Sequence, residues 1–432
     1  MWFDERVRTT PARLSARLLL FGLWALAKYN SLLLHVWQPN EYSDTYYYFL
    51  QAQHAATTGG GLAVMTPEYP TPAAALLMIP WWLGGTGPGY DSYRWNFLVL
   101  VVGIDAAFAL LLALRAGAGG VLAWTFYETL AGRLALLRFD VVPAVLAATA
   151  LLLIFEKRDA AASPFVVLGA AIKLWPALLL PLTWADRRGR RRALAVGVLS
   201  TAAVLVASIA AAGTARLTSP LTYQRDRGLQ IESVAATGPL LARLTDPAVS
   251  IFWSTWNAYE FAGPGVTEAL RLADVLFLAG GVALVALFVR WFARGADLDA
   301  VAYLALFAIV AFMVGSKALS PQYLLWLAAP AAVVLGRLDS LPTRLDAVAA
   351  ALTASWVGVL VALTAYVYPL HYDDILNAAA LRPVEVLAAR NVLLVGFAVW
   401  TGVVAWRLSR NTPARMAEPD VHADRTRRAR TT

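Results

Sequence analysis

The sequence contains no cysteine and few charged side chains. The lack of cysteine excludes a disulfide framework, a thiolate nucleophile and a zinc–cysteine site. Charged residues make up 15% of the 432 residues and hydrophobic residues 59%, whereas a soluble domain carries about 25% charged residues. These proportions exclude a water-soluble globule, a disordered chain and a coiled coil.

Long apolar runs separated by short basic clusters predict an all-α, polytopic membrane protein with about 12 transmembrane helices. Twelve segments of about 20 residues account for about 240 residues, which agrees with the composition. The predicted spans are 18–37, 95–114, a third from 117 that ends before 128–140, 141–155, a hairpin of two short helices within 164–184, 193–212, 270–289, 301–315, 323–335, 345–367 and 392–406.

The basic clusters fall on one side of this arrangement, which is the positive-inside pattern and places both termini in the cytoplasm. A cleaved signal peptide is the competing interpretation of the N-terminus, but the first run is long and no small-x-small cleavage site follows it. We expect residues 1–406 to form one polytopic domain and residues 407–432 a disordered, basic cytoplasmic tail. The net charge of +8 therefore predicts membrane topology and not nucleic-acid binding.

The hairpin within 164–184 is predicted because this segment is too short for two full spans. We expect a break near Lys173-Leu174-Trp175-Pro176, since proline removes a backbone donor and disfavours helix before it. A broken helix at membrane depth is tolerated where it lines a cavity.

A carboxylate among tyrosines follows the first predicted span, within residues 38–48. Two interpretations of Asp44 stay open at this point. It is either a general base near the membrane surface or the N-cap of the helix that follows.

An arginine and an aspartate, Arg138 and Asp140, lie two residues apart at the outer start of the fourth span. This spacing suits a structural ion pair or a holder for an anionic substrate.

Several cations on the outer side depart from the positive-inside pattern: Lys173, Lys317, Arg225 and Arg227. Ionisable groups near membrane depth are costly, so they are functional candidates, and a cation group suits a phosphate on a lipid carrier. The alternatives are snorkelling to the headgroups and, for residues 223–233, a plain surface loop.

His371 is followed by Tyr372, Asp373 and Asp374. The group suits a solvated loop or a hydrogen-bond donor to phosphate. A metal site is a third interpretation, which the lack of regular ligand spacing disfavours. We predict no metal and no cofactor.

Short motifs occur in the order and spacing of a known family. They are Ser43-Asp44 with Tyr47, Tyr69-Pro70, RFDVVP at 138–143, GAAIKLWP at 169–176 and KALSPQYLLW at 317–326. In these motifs the chain resembles the C-type glycosyltransferases and, within them, the bacterial polyprenol-phosphate-mannose-dependent α-mannosyltransferases of actinobacterial mannolipid synthesis. The motifs span most of the membrane core, whereas the C-terminal third carries none.

The resemblance implies an inverting transfer of a sugar, expected to be mannose, from a polyprenyl-phosphate donor to a hydroxyl of a glycolipid or polysaccharide acceptor. The reaction is expected at the extracytoplasmic face of the bacterial plasma membrane. Asp44 takes the proton of the acceptor hydroxyl, and cations neutralise the departing phosphate. Phosphate binding is expected from Lys317, Arg138, Lys173 and His371, and substrate binding from Tyr47, Tyr69, Asp140, Gln322, Tyr323, Arg225 and Arg227.

A transporter or flippase of lipid-linked sugars is the alternative from another class, because many spans and a broken hairpin also suit it. The sequence favours an enzyme, since the span interiors carry few ionisable residues and the polar chemistry gathers on one face. A transferase of another lipid-carried sugar shares the mechanism.

Overall fold

The computed structural model describes residues 11–35, 44–338 and 341–409, and these residues are almost entirely helical. The α-helices are α1 (Pro11–His35), α2 (Asp44–Thr57), α3 (Thr71–Leu83), α4 (Tyr90–Arg115), α5 (Gly117–Ala131), α6 (Arg133–Leu137), α7 (Val141–Phe155), α8 (Asp159–Ile172), α9 (Arg190–Ala212), α10 (Ser219–Asp226), α11 (Thr237–Ala242), α12 (Val266–Ala293), α13 (Val301–Gly315), α14 (Leu324–Gly336), α15 (Arg344–Ala365), α16 (Tyr372–Ala378) and α17 (Leu381–Leu408). Short 3₁₀ segments are Gly61–Ala63, Trp175–Trp184, Thr214–Leu217, Leu298–Ala300 and Pro321–Tyr323, and Tyr366–Leu370 is a π-helical turn.

Seven helical segments in the described part of the chain are long and apolar enough to cross a bilayer, so the protein is a polytopic membrane protein, as predicted. They are Leu14–His35, Tyr90–Arg115, Arg190–Ala212, Val266–Ala293, Leu298–Gly315, Arg344–Leu370 and Leu381–Leu408. Every other predicted span also coincides with a helix, but these helices are shorter than about 20 residues. About twelve crossings therefore stays a prediction.

The helices α13 and α14 form the centre of the bundle, because they are apolar on all sides and almost every side chain in them is buried. Peripheral helices show the opposite pattern. Leu199 of α9 and Leu278 of α12 each expose 69% of their surface, as expected of side chains that face lipid. The close approach of α12 to α13 requires Gly315, since a Cβ atom there would lie 2.4 Å from the Cα of Phe277.

The hairpin predicted within 164–184 has the expected break. Helix α8 ends at Ile172, Lys173 is extended (φ −146°, ψ 130°), and a 3₁₀ helix begins at Trp175 with Pro176 in its first turn. The break places Lys173 at one end of the bundle.

The arginine-rich segments lie together at the other end. Arg115 Nη1 lies 2.7 Å from Glu156 Oε1, and Arg407 Nη2 lies 2.8 Å from Asp346 Oδ1. The guanidinium of Arg337 packs 3.8 Å from the ring centroid of Phe155. One end of the bundle is therefore basic, as the charge pattern predicts, and its assignment to the cytoplasm stays a prediction.

The long polar segment between α9 and α12 is more ordered than the sequence suggested. It contains the helices α10 and α11 and an antiparallel hairpin of β1 (Ser250–Trp253) and β2 (Tyr259–Ala262), with Trp253 paired to Tyr259. The all-α prediction holds for the bundle, but it missed this two-stranded sheet, because neither strand shows a clean alternation of buried and exposed residues.

An ionic cluster inside the bundle corrects the expectation of plain span interiors. Lys28 Nζ of α1 lies 2.7 Å from Asp105 Oδ2 of α4 and 2.9 Å from Glu128 Oε1 of α5, and all three side chains are buried. The indole Nε1 atoms of Trp24 and Trp124 donate to Glu128 and Asp105. Glu128 was expected in an external stretch, whereas the structure places it within α5.

Two predictions fall partly outside the described residues. Ser43 of the first motif lies there, as does the tail from residue 410. The single-domain organisation of residues 1–406 also stays a prediction.

Candidate active site

A cavity of about 1260 Å³ lies at the end of the bundle opposite the arginine-rich segments. Its wall is built from the loops at this end and from parts of the neighbouring helices, among them α12 and the last turn of α13. Its charged lining residues are Asp44, Glu68, Arg138, Lys173, Arg225, Arg227, Asp274, Lys317 and Asp373. Apolar and aromatic side chains, among them Leu174, Phe277 and Phe312, form the rest of the wall.

Asp44 and Arg138 form an ion pair in this wall. Asp44 is the first residue of α2, where a carboxylate is favourable for the helix dipole. Arg138 follows α6 in an extended conformation (φ −124°, ψ 142°), and its Nη1 contacts Asp44 Oδ2. The side chains are 28% and 16% exposed, and the second guanidinium nitrogen lies 3.5 Å from Tyr368 Oη. The structure thus joins two residues that the sequence placed 94 positions apart.

Asp140 binds Lys173 and not Arg138, so the predicted Arg138–Asp140 ion pair is wrong, whereas an anion-binding role for Arg138 stays a prediction. Lys173 Nζ donates to Asp140 Oδ1 at 2.6 Å, and Trp326 Nε1 donates to the same oxygen at 2.8 Å. Asp140 is fully buried and lies outside the cavity lining, whereas Lys173 lines it.

The ammonium of Lys173 is enclosed by four rings, with centroids 4.9–5.6 Å away: Tyr69, Phe139, Tyr323 and Trp326. Its charge is matched by Asp140 and by the faces of these rings. Lys173 therefore holds together the rings that form the aromatic floor of the cavity. Because its ammonium already interacts with Asp140 and with these rings, it is less available to bind a ligand.

Lys317, Arg225 and Arg227 meet across two loops. Lys317 Nζ donates to the main-chain oxygen of Arg225 at 2.7 Å, and the main-chain oxygen of Lys317 accepts from Gln230 at 3.0 Å. A carbonyl does not neutralise an ammonium, so Lys317 keeps its charge on the cavity wall. Arg227 lies over the ring of Tyr223, 5.8 Å from its centroid.

The remaining predicted site residues also line the cavity, except His371. Tyr47, Tyr69, Gln322 and Tyr323 all belong to the lining, and Tyr323 stacks on Trp326 at 3.8 Å between centroids. His371 lies outside the lining, its Nδ1 is 2.7 Å from Asp374 Oδ2, and its ring packs 4.3 Å from Tyr366. The cavity thus brings together every predicted site residue except Asp140 and His371.

Glu68 is a buried lining residue that the sequence analysis did not single out. It directly precedes the Tyr69-Pro70 motif, which is the signal that could have found it. Tyr47 Oη donates to its Oε1 at 2.9 Å, and its carboxyl group is 8% exposed. Burial raises the pKa of Glu68, and the Tyr47 hydrogen bond and the charges of Arg216 and Arg227 oppose that rise.

The sequence also did not predict a buried ion pair that lies outside the cavity lining. Arg390 of α17 and Glu232 are completely buried, with Arg390 Nη2 3.2 Å from Glu232 Oε2. The same nitrogen also donates to the main-chain oxygen of Glu232 at 3.1 Å. This pair fixes the polar segment after α10 to the last helix of the bundle.

Fold and site together define a multi-pass membrane protein with a partly charged cavity at one end of its helices. The sequence model of glycosyltransferase family 87 matches residues 68–321, which is more than half of the chain. The chain belongs to this C-type family and is a membrane glycosyltransferase, which confirms the predicted resemblance at the family level. The matched range includes Glu68, Arg138 and Lys317 but not Asp44. No curated protein sequence matches the chain.

Proposed function

We propose that the protein is an inverting glycosyltransferase that moves a sugar, mannose by the family resemblance, from a polyprenyl-phosphate donor to an acceptor hydroxyl on the extracytoplasmic face of the plasma membrane. The acceptor is a glycolipid or polysaccharide. The observation that carries the proposal is the Asp44–Arg138 ion pair in the wall of a cavity that also holds further cations and an apolar flank.

Asp44 is the proposed general base. It takes the proton of the acceptor hydroxyl while that oxygen attacks the anomeric carbon and the bond to the polyprenyl phosphate breaks. Protonation leaves the carboxyl neutral, so the positive charge of Arg138 is released at the moment the leaving phosphate gains negative charge. The ion pair therefore couples proton removal to stabilisation of the leaving group.

Lys317, with Arg225 and Arg227 beside it, is the proposed site for the donor phosphate. The Lys317 ammonium donates to a neutral carbonyl, and its positive charge can bind a phosphate oxygen. The apolar wall residues Leu174, Phe277 and Phe312 suit the first isoprene units of the carrier. Lys173 is proposed to support this site through the aromatic floor.

The direct test is transfer by protein purified into lipid nanodiscs. Radiolabelled polyprenyl-phosphate mannose, polyprenyl-phosphate glucose and a nucleotide sugar are offered with a panel of lipid and polysaccharide acceptors. We expect transfer from a polyprenyl-phosphate sugar, with inversion at the anomeric carbon, and none from the nucleotide sugar. A protein that uses only the nucleotide sugar contradicts the proposal.

The phosphate role of Lys317 is tested by Lys317→Ala, with Arg187→Ala as the charge-matched control at the basic end of the bundle. Loss of a charged hydrogen bond costs about 1.5–3 kcal/mol, so we expect the donor KM to rise by at least about tenfold. An unchanged dependence of rate on donor concentration contradicts the role.

A flippase of lipid-linked sugars is the second candidate, and the ionic cluster of Lys28, Asp105 and Glu128 favours it, because ionisable groups inside spans often mark transport pathways. Proteoliposomes with fluorescent polyprenyl-phosphate sugar in one leaflet distinguish the two functions. Translocation without sugar transfer supports the flippase, whereas transfer without translocation supports the enzyme.

A further inference from the structure

Glu68 is held in a rigid loop that presents it to the cavity. Arg216 clamps the preceding turn, because its Nη2 donates to the main-chain oxygens of Met65 and Thr66, the latter at 2.6 Å. Tyr69 N closes the turn on Thr66 O at 3.0 Å. A side chain on such a loop is fixed in position before any substrate binds.

The carboxyl group of Glu68 has unused hydrogen-bonding capacity. Its Oε1 accepts from Tyr47 Oη, whereas its buried Oε2 has no hydrogen-bond partner within the described part of the chain. Buried carboxylate oxygens are normally satisfied, and one that is not commonly serves a ligand. Because Glu68 lines the cavity, a substrate hydroxyl can supply this donor when the carboxyl group rotates toward the cavity.

The unexpected β-hairpin completes the same corner of the cavity. Its turn places Asn257 in the cavity lining near Tyr47, and Trp256 against Tyr223 with ring centroids 4.7 Å apart. The corner therefore combines a carboxylate, a phenol and an amide with flat aromatic faces. Hydrogen-bonding groups of these kinds bind sugar hydroxyls, and aromatic faces pack against the apolar face of a sugar ring.

The negative charge of Glu68 distinguishes this corner from the Lys317 ammonium, although the charge of Arg227 acts on Glu68 as well. A carboxylate repels a phosphate, so a neutral polyol suits the Glu68 oxygen better than the donor phosphate does. We propose that Glu68, with Tyr47 and Asn257, forms a subsite that binds hydroxyl groups of a sugar ring and contributes to sugar selectivity. This inference rests on the proposed function and adds a residue to it.

The test pairs Glu68→Gln with single-deoxy analogues of the donor sugar and, in a second arm, of the acceptor sugar. Removing the hydroxyl that Glu68 binds should lower the wild-type kcat/KM by about 10- to 100-fold, the range for a charged hydrogen bond. Glu68→Gln keeps a neutral acceptor oxygen and loses the charge, so it should show part of that loss with the natural substrate and a smaller further loss with that one analogue than the wild type shows. The arm in which this non-additivity occurs identifies the ring as donor or acceptor.

Two further variants keep the result interpretable. Tyr47→Phe removes one oxygen and keeps the ring, so it should show a smaller, equally non-additive loss with the same analogue, even if Glu68→Gln folds poorly. Glu385→Gln removes an exposed carboxylate outside the cavity and should behave as wild type.

The inference is overturned if both cavity variants keep wild-type kcat/KM, or if their losses add fully to those of every deoxy analogue in both arms. Wild-type protein that transfers no sugar from any polyprenyl-phosphate donor overturns the proposed function, and this inference with it. Active wild-type protein with purely additive losses overturns only the inference.

Discussion

Replacement of Asp44 by asparagine separates the two roles that a carboxylate at this position can have. As the first residue of α2, Asp44 interacts with the helix dipole, and this is worth about 0.3–1 kcal/mol. As a general base it supplies about 10²- to 10⁴-fold in rate, or about 3–5 kcal/mol of barrier. The kinetic loss expected from the catalytic role thus exceeds the structural loss several-fold.

The chain offers a matched control in Asp91, which is exposed, lies in the first turn of α4 and is outside the cavity lining. Asp91→Asn loses only a helix-dipole interaction. Asp44→Asn also leaves Arg138 without its counter-charge, but both side chains are partly exposed, so we expect only about 1 kcal/mol of extra destabilisation.

The assay is single-turnover transfer in nanodiscs at saturating donor and acceptor, with donor affinity and thermal unfolding measured on the same preparations. We expect Asp44→Asn to lose at least about 100-fold in rate while it still binds donor, and Asp91→Asn to stay near wild type. The reasoning is refuted if Asp44→Asn turns over within about tenfold of Asp91→Asn, since a cap alone then explains the residue.

Three further outcomes follow from the structure. Because burial raises the pKa of Glu68, acidification should protonate it at a higher pH than an exposed glutamate; wild-type kcat/KM should therefore begin to fall at a higher pH than that of Glu68→Gln as the pH is lowered, and identical profiles contradict this. Arg390→Met leaves Glu232 buried without its partner and should lower the free energy of unfolding by about 3–5 kcal/mol; a thermal midpoint equal to that of wild type contradicts this. Since the chain has no cysteine, single cysteines at the exposed Gln53 and Arg187 report sidedness directly, and labelling of both by an impermeant reagent from one side contradicts the predicted topology.

The sequence predicted the structure best at residues that are energetically unfavourable in their environment, such as charged residues in lipid and proline inside a helix. Apolar runs and arginine clusters predicted the helices and the basic end of the bundle, because the cost of charge in lipid constrains them strongly. The proline at 176 predicted the break after α8 for an equally direct reason. Asp44, Arg138 and Lys317 were chosen because charged groups near the outer ends of spans need an explanation.

The pairing of these charges could not be predicted, since it depends on how distant loops meet. Arg138 is two residues from Asp140 but binds Asp44, whereas Asp140 binds Lys173, which is 33 residues away in the sequence. Glu68 was missed because a glutamate in a polar loop resembles any surface residue until burial is known. The β-hairpin was missed because its strands are only four residues long.

The Lys28 cluster has a consequence for how the chain enters the membrane. The first helix emerges with a lysine in its apolar stretch, and such a residue costs about 2.5–3.5 kcal/mol at the centre of a span during translocon insertion. Its two carboxylate partners are synthesised 77 and 100 residues later. We therefore expect α1 to be held only weakly in the membrane while the chain is being synthesised. Its stable insertion should wait until α4 and α5 have been made, because their carboxylates neutralise the charge of Lys28.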